Sequence, residues 1–211
     1  MFKSLFNPEN ALMITMSRIT DCIFLSLFWL MGCFPVVTIG ASFAALYDAS
    51  YRGFRKGEKN SWQRFAKVYK ENWKAAIVPT VVFLAASCLL GSALIACWNN
   101  AVAGTASWTT FSGAAFVGVL IVGVLSILFP MLSRFENSFG NLLKNTVLLA
   151  FANLPRTFAL GIVNAATVLI CMRYIIPVAF LPALAALIGS LFLEPMFKPY
   201  MPHESVEEVA E

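Results

Sequence analysis

The sequence predicts an all-α fold, a polytopic transmembrane helical bundle of about five spans with interfacial amphipathic helices. Three observations point there. Of 211 residues, 59% are hydrophobic and 12% charged, with a mean hydropathy of +0.76, whereas globular domains carry about 25% charge. The apolar residues are gathered into blocks near the roughly 20 helical residues that cross a hydrocarbon core of about 30 Å. Between those blocks, aromatic and basic residues recur at helical spacing.

Taken in order, Asn7-Pro8 is a helix start, an N-cap candidate followed by Pro at the first helical position. The first span, about 19–39, is apolar from Cys22 to Ile39 apart from Ser26 and Thr38, with Pro35 as a kink or break near its end. No small-residue cleavage pattern follows a short core, so it reads as a retained span and not a signal peptide. The basic loop 48–74 follows, with Arg52, Arg55, Lys56, Lys59, Arg64, Lys67, Lys70 and Lys74 against Asp48, Glu58 and Glu71. Within it, Trp62, Phe65, Tyr69 and Trp73 share one helical face, and Arg64, Lys67, Lys70 and Lys74 the other. That pattern predicts a helix lying on an anionic leaflet, the alternative being a basic face toward protein or solvent.

Spans two and three are expected at about 75–97 and 111–132, joined by an uncharged loop with Trp98 and Trp108. Residues 133–156 carry Arg134, Glu136, Lys144 and Arg156 around Phe139, Leu142, Val147, Phe151 and Leu154, a second surface or partly embedded helix. Spans four and five are expected at about 157–172 and 174–193, the fifth interrupted by Pro177 and Pro182, before a cytoplasmic tail over 194–211. With five crossings, the segments 40–74, 133–156 and 194–211 share a side and hold 12 of the 15 Lys and Arg residues. The positive-inside rule then sets the N-terminus outside and the C-terminus in the cytoplasm. Ser87 with Gly91, Gly161 with Ala165, and Ala185 with Gly189 form small-residue seams for helix packing.

No phosphate-binding, acyl-transfer, zinc-protease or dinucleotide signature occurs, so no enzyme is expected, and no catalytic, cofactor-binding or metal residue is assigned. Cys22, Cys33, Cys88, Cys97 and Cys171 lie in or beside apolar blocks without a C-x-x-C spacing and read as small hydrophobes. The lone histidine, His203, has no partner for a zinc site. Four polar residues stand out near membrane depth. Arg18 and Asp21, three apart, can pair as a gate or as an interfacial anchor. Arg134 follows Pro130 at the end of span three, and Asn164 lies inside span four, as packing glue or lining a polar path. Spans two to five hold no mid-span carboxylate, which argues against a proton-driven carrier. The stretch from Gly32 to Tyr47 is the candidate functional element, through Pro35, Thr38, Gly40, Ser42 and Tyr47. Broken backbone at membrane depth must be buried in protein or line water, the plainer reading being a kink at the inner interface.

At Pro35 to Tyr47 the pattern P-V-V-T-I-G-A-S-x-x-A-L-Y resembles the YesL-like family of bacterial integral membrane proteins, built on a domain of unknown function. Trp62 to Ala75 resembles the family's aromatic and basic stretch. The runs Pro130 to Phe135, Asn141 to Asn145 and Asn153 to Thr157 are similar to its second characteristic region. The resemblance implies about five spans in the bacterial cytoplasmic membrane and genes commonly encoded near sugar-uptake ABC transporters and two-component sensors, with no established activity. The expected function is an accessory or regulatory component of carbohydrate ABC uptake or its sensing. The alternative is a small oligomeric transporter or channel with its path at Pro35 to Gly40. Expected partners are the anionic inner leaflet, ABC permease or sensor subunits and further copies of the chain, with no nucleic acid.

Overall fold

The computed structural model describes residues 11–58, 60–135 and 138–200. The expected helix start at Asn7-Pro8, the charges of Lys3, Lys59 and Glu136, and the tail beyond residue 200 with His203 lie outside the described residues. Among the described residues every regular element is helical. Its α-helices are α1 (Ala11–Gly32), α2 (Ile39–Ser50), α3 (Ser61–Val102), α4 (Trp108–Arg134), α5 (Phe139–Ala152), α6 (Leu154–Arg173) and α7 (Leu181–Phe197).

The first apolar block does not form one crossing helix. Pro35 disfavours helical backbone at Phe34, so α1 stops at Gly32 and a 3-10 turn, Val36–Thr38, leads into α2. The two helices form an antiparallel hairpin. At its tip the Thr38 hydroxyl donates to the carbonyls of Gly32 (2.9 Å) and Pro35 (2.8 Å). At its base the Arg18 guanidinium donates to the carbonyls of Gly53 (2.7 Å) and Phe54 (3.1 Å). Arg18 thus sits at the end of the bundle that holds Gly53, whereas a first crossing helix would set the two on opposite sides.

α2 is the hub. Every residue from Gly40 to Ser50 except Phe43 is buried. Its small residues let α1, α3, α4 and α7 close around it: Ala41, Ala44 and Tyr47 join a core with Ala76, Phe129, Leu142 and Phe197, while Ala45, Leu46 and Ala49 join one with Leu25, Phe65 and Val68. Gly40 is a close approach, since a Cβ there would overlap the Phe129 ring and the Thr80 hydroxyl. Helix starts leave amides without partners, and two of them are satisfied by hydroxyls from other helices. The Gly40 amide donates to Thr80 Oγ1 (3.1 Å) and the Ala183 amide to Ser26 Oγ (3.2 Å). Such closure is what backbone in a low-dielectric surrounding requires.

Among the described residues, four helical segments are long and apolar enough to cross a membrane: Ser61–Val102, Trp108–Arg134, Leu154–Arg173 and Leu181–Tyr200. The expected amphipathic helix and span two are one helix. At about 1.5 Å per residue the 42 residues of α3 reach about 63 Å, twice a hydrocarbon core, so the stretch Ser61 to Lys74 continues the span instead of lying apart from it. α3 and α4 meet at their far ends through Trp98, Trp108 and Phe111, whose rings pack edge-on at 5.3–6.3 Å. Of the small-residue seams, Gly161 packs on the backbone of Val119, and Gly123 of α4 reciprocates on the backbone of Thr157. Gly189 faces Leu160, but nothing approaches Gly91, so the Ser87 and Gly91 pair is no helix seam. The expected fifth span is shortened at its start, where Pro177 opens a 3-10 turn, Ile176–Ala179, and Pro182 sits in the first turn of α7.

Candidate functional site

Charged side chains converge where α2, α3, α4 and α7 come together. α2 ends in a π turn, Tyr51–Arg55, the wide helical turn often found at functional sites. Just before it, Asp48 is 1% exposed and surrounded by three guanidinium groups: Arg64 Nε at 2.5 Å, Arg52 Nε at 3.4 Å and Arg134 Nη1 at 3.8 Å. Arg134 also donates from Nη2 to Glu194 Oε1 at 2.7 Å, and the Tyr47 hydroxyl donates to the same oxygen at 2.7 Å. The Arg134 guanidinium lies over the Tyr51 ring at 4.5 Å, within cation–π reach. Burial, and then the negative charge of Glu194, push the Tyr51 phenol above its ordinary value, so it stays neutral beside the carboxylate. Arg55 reaches the Ser190 carbonyl at 3.4 Å, and Arg52 reaches Glu58 at 3.2 Å.

A buried carboxylate is tolerated only when paired and hydrogen-bonded. Here the partners come from different helices, so the pairing fastens α3, α4 and α7 to α2. The carboxylates are occupied by arginines. Among the described residues no group of His, Cys, Asp and Glu could hold a metal.

Of the residues marked from sequence, Tyr47, Arg64 and Arg134 enter this cluster. Thr38, Gly40 and Ser42 close the hairpin and its packing, and Pro35 is exposed at the tip. Arg18 bonds the carbonyls of Gly53 and Phe54, so the expected pair with Asp21 gives way to a backbone anchor. The expected membrane face of α3 is divided, because the bundle itself offers apolar surface on one side. Phe65 is buried and packs on Phe28 and Tyr69, while Trp62, Lys67, Lys70, Trp73 and Lys74 are exposed. Asp48, Arg52 and Glu194 were not assigned from sequence. A usable signal was the Asp48 and Arg52 spacing of four inside a run of small residues, which places a carboxylate on a packed face.

Farther into the bundle lies a cavity of about 430 Å³. Its wall includes Trp29, Phe43, Phe83, Gly91, Phe129, Leu160 and Asn164, and no charged side chain. Asn164 donates to the Leu160 carbonyl of its own helix at 2.9 Å.

The four long apolar helices and the absence of strands among the described residues define a multi-pass helical membrane protein. Residues 22–93 match the family described as Protein of unknown function, DUF624, the domain of the YesL-like resemblance. The match runs from within α1 through the hairpin, the π turn and most of α3, and contains Asp48 and Arg64. No curated protein and no solved structure matches the chain.

Proposed function

We propose that the protein is an accessory or regulatory component of the bacterial cytoplasmic membrane, working beside carbohydrate ABC uptake or its sensing. The observation that carries this reading is the stretch Ser61 to Lys74. Along this stretch α3 packs Phe65 and Val68 against the α1–α2 hairpin and pairs Arg64 with Asp48, while it presents Lys67, Lys70 and Lys74 to the outside. A basic face held rigid by that packing fits an acidic face on the cytoplasmic part of a permease or sensor. The positive-inside rule supports a cytoplasmic place for this end, which also gathers Arg52, Arg55, Arg64, Arg134 and Lys198. The bond from Arg18 to the Gly53 carbonyl supports the same side for the start of α1, in place of the expected outside N-terminus. The transporter alternative needs a polar path at Pro35 to Gly40, and the packing of Gly40 against Thr80 and Phe129 speaks against one.

The test is capture of the tagged protein from its native membrane in mild detergent, with the co-purifying subunits identified by mass spectrometry. The reading expects permease or sensor subunits with the unaltered chain and their loss from a Lys67→Glu, Lys70→Glu, Lys74→Glu variant. Recovery of neither class of subunit, together with sugar or ion flux through proteoliposomes of the protein alone, would overturn it.

A further inference from the structure

We propose that the uncharged cavity binds one alkyl chain of a membrane amphiphile. The volume of about 430 Å³ falls in the range of small-molecule sites, about 300–1,000 Å³. Helices that cross the membrane form most of its wall, through Leu90 and Leu94 of α3, Leu125 of α4 and Val168 of α6, so lipid is the adjoining phase.

Hydrogen-bonding capacity decides the chemistry of the occupant. The Ser126 hydroxyl donates to the Val122 carbonyl at 2.7 Å, the Thr167 hydroxyl to Val163 at 2.8 Å, and the Asn164 amide to Leu160 at 2.9 Å. The Tyr47 hydroxyl is committed to Glu194. These hydroxyls spend their donors on their own surroundings, as does one N–H of the Asn164 amide. A sugar would carry many hydroxyls into a wall with few open partners, at a penalty for each one left unmatched. Two donors of the wall stay open, the Ser87 hydroxyl and the second N–H of the Asn164 amide, while Trp29 Nε1 is buried and has no partner. So few open donors in an apolar wall suit one ester carbonyl or hydroxyl at the head of a hydrocarbon chain.

The wall is also built to leave the space open. Ser87 and Gly91 stand one turn apart on α3 and both line the cavity. A Cβ added at Gly91 would meet nothing within 4 Å. Larger side chains there would fill the volume, so the two small residues act as a wall of the cavity where a helix seam was expected.

The experiment uses the full chain with Trp62, Trp73, Trp98 and Trp108 changed to Phe, which leaves Trp29 as the one tryptophan. It is purified in bile-salt micelles, which carry no alkyl chain, and titrated with dibromostearate, whose bromines quench indole fluorescence on contact. Saturable quenching of Trp29 is expected. Gly91→Leu should weaken it by about tenfold, as for a site whose volume is taken by the protein. Gly113→Leu adds the same side chain at another open position outside the cavity and should leave the titration unchanged. Ser87→Leu repeats the filling test should Gly91→Leu not fold. Quenching that rises linearly without saturation, or filled variants that titrate like Gly113→Leu, would overturn the proposal.

Discussion

Arg134 of α4 and Glu194 of α7 stand sixty residues apart in sequence and close to 2.7 Å, with the same guanidinium 3.8 Å from Asp48 of α2. One side chain therefore ties three helices together, and a side chain only 9% exposed has little water to replace a lost partner. Breaking a buried pair by removing one member costs about 3–5 kcal/mol, since the remaining charge stays buried. Asp48→Ala is expected to cost that much and Glu194→Gln less, because Glu194 is the more exposed of the two carboxylates. Thermal unfolding in detergent, followed by helical circular dichroism, orders the two variants. Equal and small shifts would show that the cluster fastens nothing.

Thr80 carries the second connection of α2, as acceptor for the Gly40 amide and donor to the Ala76 carbonyl. Thr80→Val keeps the shape and leaves a buried amide unmatched, a loss of about 1–3 kcal/mol. Thr80→Ser should recover most of it. The comparison is read as midpoints in the same thermal experiment, and a Val variant as stable as Ser would contradict the capping role.

Gly123 and Gly161 face backbone of the opposite helix, Thr157 and Val119 respectively. Alanine at either position forces α4 and α6 apart, and such overpacking typically costs about 1–3 kcal/mol. Alanine at Gly113, where the space is open, should cost nothing and instead gain helix propensity. Parallel thermal midpoints for the three substitutions check this.

Composition and block length made the long helices legible: Trp108–Arg134 and Leu154–Arg173 lie within a few residues of the segments read from hydropathy. The hairpin was less so. Pro35 marked a break, but whether a chain crosses or returns after a break depends on distant partners, such as Gly53 for Arg18 and Thr80 for Gly40. The same limit hid the cluster. Tyr47 and Arg134 could be noticed as polar residues near apolar blocks, while the pairing of Asp48 with Arg64 and of Arg134 with Glu194 arises from tertiary approach that spacing does not encode. Ser87 and Gly91 looked like a seam because small residues admit either a helix or a void, and only the neighbouring helices decide which.

The return of the first hairpin is the claim on which the arrangement of the whole bundle rests. It is tested most directly by labelling single cysteines, placed in a chain without its native ones, with a membrane-impermeant maleimide on intact cells. Ser17 and Lys67 lie on exposed positions at the basic end, and Thr105 in the loop between α3 and α4 at the other. Ser17→Cys and Lys67→Cys are expected to react only after permeabilisation, and Thr105→Cys without it. Labelling of Ser17→Cys on intact cells while Lys67→Cys stays protected would mean that the first helix crosses the membrane, and would contradict the hairpin.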